Sequence, residues 1–241
     1  MKRKVAYILG CYNKFNDIET AQNSVAVLKT ANLEVSVFDL GCCGMPFIGI
    51  GNLKSARRNA AYISKKLQEL IERGNDVVLS CPSCGTMIKL EYPRIFKQLE
   101  NQEFQTRIYD LGEFLIKIYE TGEWTAKFSE FNTNAGYQIS CHLKAQKIGT
   151  PFVDLFRWIP GLKLKVVFDK CCGMAGTMGY KKEKYHLSEM VGGLLIEEIR
   201  RSSLNLIISD CASCQSKINH KLGVKTVHPI SILRRALRAE N

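Results

Sequence analysis

The sequence predicts an α/β protein of two tandem pseudosymmetric domains, each a small parallel sheet flanked by helices, with cysteines at the C-terminal ends of the strands. Three observations predict it. The ten cysteines fall at 11, 42, 43, 81 and 84, and again at 141, 171, 172, 211 and 214. Adding 130 to the first set reproduces the second, except that Cys171-Cys172 arrives one residue early. A short apolar run precedes each cysteine group in both halves. Helical periodicity fills the segments between those runs, and strands alternating with helices build parallel sheets through right-handed crossovers.

Taken in order, residues 5–9 form a first strand that delivers Cys11, and residues 137–140 do the same for Cys141. The Val- and Phe-rich runs 34–39 and 164–169 precede the Cys-Cys pairs, and 76–80 and 205–209 precede the C-x2-C pairs. All six read as short, mostly buried strands. Helices are expected over 19–30, where Ala21, Val25 and Leu28 share a face, and over 56–71 and 187–199. Turn chemistry in 119–134, at Thr121-Gly122-Glu123 and Asn132-Thr133-Asn134-Ala135-Gly136, puts the boundary there. The domains are drawn as 1–125 and 126–241.

The chain has 241 residues and 46% hydrophobic content, ample for a core in either arrangement. Its apolar runs fall far short of the roughly 20 residues of a membrane span. The basic start, short apolar stretch and Cys11 imitate a lipoprotein signal, but the stretch is too short for an h-region of about 7–15 residues. A cytoplasmic, reducing location is therefore expected, where ten cysteines are metal ligands or redox groups rather than five disulfides. The formal charge of +11 is scattered through amphipathic segments with no nucleic-acid motif. Nucleic acid is not an expected partner.

Five thiolates per half are one more than a tetrahedral zinc uses. A multinuclear iron-sulfur cluster has several metal centres to ligate, and adjacent cysteines reach two neighbouring irons more easily than two corners of one small tetrahedron. Gly44 and Gly173 let the backbone turn tightly after each pair, and Pro82 stiffens the first C-x2-C. Three alternatives stand beside this reading: zinc in one domain with a cluster in the other, a zinc-stabilised scaffold or interaction protein, and a C-x2-C dithiol pair.

Cys42-Cys43-Gly44-Met45-Pro46 and Cys171-Cys172-Gly173-Met174-Ala175-Gly176-Thr177 resemble the two CCG cores of the cysteine-rich domain family that includes the B subunit of heterodisulfide reductase and related oxidoreductase subunits. The stretch from Cys171 to Glu183, with His228-Pro229-Ile230, looks especially like the C-terminal region of the branch formed by the C subunit of anaerobic glycerol-3-phosphate dehydrogenase. The resemblance implies two [4Fe-4S] clusters of non-cubane type, one on Cys11, Cys42, Cys43, Cys81 and Cys84 and one on Cys141, Cys171, Cys172, Cys211 and Cys214. It implies that they face each other and split a disulfide between them. The ferredoxin segment C-x2-C-x2-C-x3-C-P of that branch is not found, so electrons are expected to pass through a separate ferredoxin-like iron-sulfur or flavoprotein subunit.

The expected function is an iron-sulfur electron-transfer or catalytic subunit of a multi-subunit oxidoreductase, passing electrons between such a partner and a disulfide or a quinone. No Gly-x-Gly-x-x-Gly loop follows the first strand. His142, next to Cys141, is a candidate donor to a cluster sulfide or to substrate, or a packed strand-end histidine. Lys144, Lys181 and Lys182 face an anionic substrate or water, His228 shapes a turn before Pro229, and Met45, Met174 and Met178 line the cluster cavity or fill core. Residues 230–238 make a short basic amphipathic helix, either a packing helix or a device for peripheral docking on the cytoplasmic face of a membrane.

Overall fold

A computed structural model describes residues 2–98, 100 and 102–238. In the first half the chain runs β1 (Lys4–Ile8), α1 (Cys11–Phe15), α2 (Ile18–Thr30), β2 (Glu34–Phe38), α3 (Met45–Gly49), α4 (Leu53–Glu72), β3 (Asn75–Leu79) and α5 (Pro82–Thr86). A π-helical turn at Met87–Glu91 leads to α6 (Tyr92–Phe96), α7 (Gln102–Gln105), β4 (Ile108–Asp110) and α8 (Leu111–Glu120). The second half repeats the plan with β5 (Thr133–Gln138), α9 (Cys141–Ala145), α10 (Pro151–Phe156), β6 (Leu162–Phe168), α11 (Tyr185–Ser202), β7 (Leu206–Ser209), α12 (Ala212–Leu222), β8 (Lys225–Val227) and α13 (Pro229–Ala236).

The two sheets have the same order, β2-β1-β3-β4 and β6-β5-β7-β8, and every pairing is parallel. Among the described residues, six of the eight strands and the three longest helices match the sequence reading; β4 and β8 do not. Each has three residues, too few to show a period of two, and each exists because it pairs with β3 or β7.

Strand alternation assigns the layers. In β1, Val5 and Tyr7 point to one core while Ala6 and Ile8 point to another. The outer core of the first half packs Ala6, Ile8, Val77 and Leu79 on Ala60, Ile63 and Leu67 of α4. Its counterpart packs Phe168 and Ile207 on Leu195 and Ile199 of α11 and Ile218 of α12. The inner core is shared: Val5, Tyr7 and Val78 of one sheet and Ala135, Tyr137 and Ile208 of the other belong to one continuous cluster. Between the sheets, α2 packs on α13 and α8 on α10, so each half sends its last helix onto the other half. Gly112 permits the second contact, because a Cβ there would stand 2.8 Å from the Phe152 ring.

The C-terminal segment is a packing helix. Ile230, Ile232, Leu233 and Ala236 of α13 are buried in the shared core and only Arg234 and Arg235 face outward. Its apolar face is therefore spent inside the protein, and no apolar stripe is left for a membrane surface. Among the described residues, no helix is long and apolar enough to cross a membrane.

Candidate functional site

Each half delivers its thiols by the same three loops. Cys11 and Cys141 open α1 and α9 after β1 and β5, and the Cys-Cys pairs lie just beyond β2 and β6. Cys81 and Cys211 stand at the N-caps of α5 and α12, which carry Cys84 and Cys214. Parallel strands put all three loops at one rim of each sheet. All ten cysteines are free.

The thiols touch in rows. In the first half contacts run from Cys11 to Cys42, Cys43, Cys84 and Cys81 in turn. In the second they run from Cys141 to Cys171, Cys172, Cys214 and Cys211, with Cys214 Sγ 3.0 Å from Cys172 Sγ. Hydrogen bonds from Cys11 and then Cys43 pull the Cys42 thiol down to about 3. Those from Cys141 and then Cys172 pull Cys171 down to about 2. The amides of Gly44 and Gly173 add support, each 3.4 Å from its sulfur. The same contacts push Cys11 and Cys141 up, and Cys171 pushes Cys172 up to about 12. Each row thus holds a ready thiolate, the form that ligates metal, and in the first row the hydrogen bond from Cys84 also draws Cys81 down to about 7.

The turns that carry the pairs are held from behind. Tyr92 donates to the Cys43 carbonyl and Asn59 to the Cys42 carbonyl, both at 2.8 Å. Gly44 and Gly173 have φ of +95° and +81°, a region that favours glycine. At Gly173 a Cβ would also lie 2.3 Å from the Ser188 carbonyl oxygen, so α11 approaches that turn more closely than any side chain allows.

Among the described residues, no three His, Cys, Asp or Glu side chains close around one point as a single ion requires. The donors form two rows of five soft thiols. That set exceeds the four of a tetrahedral ion and fits a multinuclear cluster whose irons each take a thiolate.

A cavity of about 290 Å³ opens between the rows, with Cys11, Cys43, Cys81 and Cys84 on one side and Cys211 on the other. Tyr12, Phe15 and Tyr180 form much of its apolar wall, and Ser83 and Ser213, the matched serines of the two C-x2-C loops, add hydroxyls. Tyr12 occupies the repeat position of His142, one residue after the first cysteine, and this correspondence was available in the sequence. Phe15 and Tyr180 left no such trace.

His142 crosses the seam between halves. Its Nδ1 lies 2.7 Å from Ser83 Oγ, its carbonyl accepts from Thr86 Oγ1 at 2.7 Å, and burial lowers its pKa. His228 caps α13 through Nδ1, which accepts from the Ile230 amide at 3.1 Å, while Nε2 donates to the Ser80 carbonyl at 3.1 Å. Burial holds it neutral, down to about 4. The lysines do not gather at the cavity: Lys144 donates to the Asp169 carbonyl at 2.6 Å, and Lys181 and Lys182 are exposed. Met45 lines the cavity, whereas Met174 and Met178 line two smaller pockets on the α11 side.

Fold and site together define a class: two parallel α/β units, each presenting five thiols at one rim, arranged face to face across a cavity. The chain belongs to the cysteine-rich CCG domain family, whose pattern matches residues 5–89 and again 135–219. It is 29% identical over 238 residues to the C subunit of anaerobic glycerol-3-phosphate dehydrogenase from Escherichia coli (strain K12), covering 98% of this chain and 60% of that one. It is 25% identical over 235 residues to the B subunit of fumarate reductase (CoM/CoB) from Methanothermobacter marburgensis, covering 95% of this chain and 44% of that one. The chain thus spans less than two thirds of the length of either relative. A hypothetical protein from Helicobacter pylori shares the fold, with a TM-score of 0.63 and 13% identity over 99% of this chain and 50% of that one.

Proposed function

We propose that the chain is an iron-sulfur subunit of a multi-subunit oxidoreductase, passing electrons between a partner iron-sulfur or flavoprotein subunit and a disulfide. The relatives named as dehydrogenase and reductase subunits support the oxidoreductase class. One observation carries the rest: thiols of both rows line the same cavity, as a reaction that divides one disulfide between two centres requires. A quinone is the second substrate class, and the burial of the apolar face of α13 removes the surface that spoke for it.

In this reading Cys11, Cys42, Cys43, Cys81 and Cys84 would hold one [4Fe-4S] cluster and Cys141, Cys171, Cys172, Cys211 and Cys214 the other, both of the non-cubane type that the family resemblance implies. When bound, such clusters supply one-electron storage on both walls of the cavity. The protein's own groups do the remainder. Tyr12, Phe15 and Tyr180 give a substrate an apolar wall to lie against, and Ser83 Oγ with His142 Nδ1 holds a proton at the wall, where a thiolate product needs one. The split into units 1–125 and 126–241 goes with this reading. Trp124 Nε1 donates to Thr30 of the first half at 3.1 Å, whereas Ser129 and Arg238 form backbone bonds between the segment after 126 and the C-terminus. Free thiols suit a reducing, cytoplasmic location.

The test is anaerobic purification with iron and acid-labile sulfide analysis, followed by electron paramagnetic resonance before and after a disulfide is added to the reduced protein. Two clusters per chain and re-oxidation by the disulfide are expected. A colourless protein carrying zinc, with iron far below one cluster per chain, overturns the reading.

A further inference from the structure

We infer that Lys217 makes the two metal centres unequal, its buried ammonium lying behind the Cys171-Cys172 turn so that the C-terminal centre is reduced at the higher potential. The inference rests on the reading of the two thiol rows as iron-sulfur sites.

The repeat makes the comparison internal. Met87 stands three residues after Cys84, and Lys217 stands three residues after Cys214. Met87 is fully buried, and its Cε lies 3.4 Å from the point where Gly44 would carry a Cβ, so an uncharged thioether backs the first Cys-Cys turn. Ala56, Asn59 and the Tyr92 hydroxyl, which also touch that turn, are neutral as well.

Lys217 fills the corresponding place in the second half and is 3% exposed. Its Cε lies 3.5 Å from the Cβ position of Gly192, and that position is 2.5 Å from the carbonyl oxygen of Cys172. Its Nζ donates to Ser188 Oγ at 3.1 Å, and Ser188 is the residue whose backbone meets Gly173. The groups facing the ammonium are few. Glu189 pairs with both Lys217 and Lys221, and the Tyr185 ring lies 4.9 Å from Lys217 Nζ and 5.8 Å from Lys221 Nζ. Despite a desolvation cost, the two lysines hold the Glu189 carboxyl down to about 2, so it is ionised. Two cations against one carboxylate leave one positive charge behind the second Cys-Cys turn, in addition to Lys144 acting on Cys171, whereas Met87, Ala56, Asn59 and Tyr92 around the first turn carry none.

Reduction adds one electron to a centre and makes it more anionic. A fixed cation in a low-dielectric surround stabilises the reduced form more than the oxidised one, and burial limits screening by salt. Helical lysine at a fully buried site is otherwise a costly choice.

The experiment is an anaerobic redox titration with dithionite, each centre gaining the one electron the reductant loses, followed by electron paramagnetic resonance. Iron and sulfide are measured on the same samples. Wild type is expected to show two waves. In Lys217→Met, which copies the residue of the first half, the upper wave moves down. The reduced-to-oxidised ratio of that centre at fixed potential falls about tenfold or more, which is about 59 mV for a one-electron couple. Lys217→Arg keeps the upper wave, Glu189→Gln raises it, and the lower wave stays in place in all three.

A wild type with both centres at one potential, or Lys217→Met with unmoved waves and full iron, overturns the inference and leaves the cluster reading intact. Iron far below one cluster per chain in the wild type overturns that reading, and the inference with it. Should Lys217→Met lose iron, Glu189→Gln decides, since it keeps the lysine: an upward shift upholds the inference and an unmoved wave overturns it.

Discussion

Tyr137 donates its buried hydroxyl to Asp210 at 3.2 Å, and the next residue is the candidate ligand Cys211. The twin contact in the first half joins Tyr7 and Ser80 at 2.7 Å, just before Cys81. The second half thus carries a carboxyl where the first has a hydroxyl, and Asp110 of the first half faces it. Burial, and after it the charge of Asp210, pushes Asp110 up to about 8; burial pushes Asp210 up to about 6.

This pair gives a stability that depends on pH. The folded pKa of Asp110 lies above its unfolded value of about 4, so between about 4 and about 8 the folded chain binds more protons than the unfolded one. Stability from this group is full at the acid end and is lost as pH rises through that window. Asp110→Asn keeps a side-chain acceptor for the Gly112 amide at the N-cap of α8. Its melting temperature, followed by circular dichroism, is expected to match wild type near pH 4 and exceed it near pH 8. Parallel curves over the whole range would reject the buried-acid account.

His228 acts in the opposite sense. Its folded pKa, about 4, lies below the unfolded value of about 6.5, so stability is lost as pH falls through that interval. His228→Asn retains a capping acceptor for the Ile230 amide and removes the bond to Ser80. Made in the Asp110→Asn background, it is expected to flatten the acid limb of the melting curve, and a limb of unchanged slope would show that another group titrates there.

The two glycines after the Cys-Cys pairs should differ in tolerance. Gly44→Ala and Gly173→Ala both place a Cβ on left-handed backbone, at roughly 1–3 kcal/mol. At Gly44 the new atom meets ordinary neighbours at 3.4 Å or more, whereas at Gly173 it meets backbone of Ser188 at 2.3 Å and of Gly192 at 2.8 Å. Overpacking of that kind adds about 1–3 kcal/mol. Urea unfolding midpoints are the measurement, and equal losses would refute the tighter seat of the second turn.

Cys43→Ser interrupts the first row between Cys42 and Cys84 and leaves the second untouched. Iron and acid-labile sulfide are expected to fall to about half, with one paramagnetic signal kept. Loss of all iron would mean that the rows load as one unit. Full iron would mean that Cys43 is not a ligand.

Much of this was written in the sequence because it is local. The repeat of five cysteines, the valine-rich runs before them and the 3.6-residue periodicity of α4 and α11 are properties of neighbouring residues, and they read out directly as strands, helices and candidate ligands. The three-residue strands β4 and β8 were not legible, since their structure comes from pairing with β3 and β7. Residues 230–238 were equally ambiguous: an amphipathic pattern states that a helix buries one face and says nothing about what covers it. The contact with α2, from the other half of the chain, supplied the answer.

Residue order alone is enough for two α/β units and ten thiols in two sets of five, because parallel crossovers carry the loops after each strand to one rim. Packing alone brings the two rims to one cavity, His142 to Ser83, Asp110 under the charge of Asp210, and Lys217 into burial behind the Cys171-Cys172 turn. Those relations join residues distant in the chain, and the packing of the inner helices between the sheets sets them. Side-chain type fixes what each group can do, and that packing fixes which group it meets.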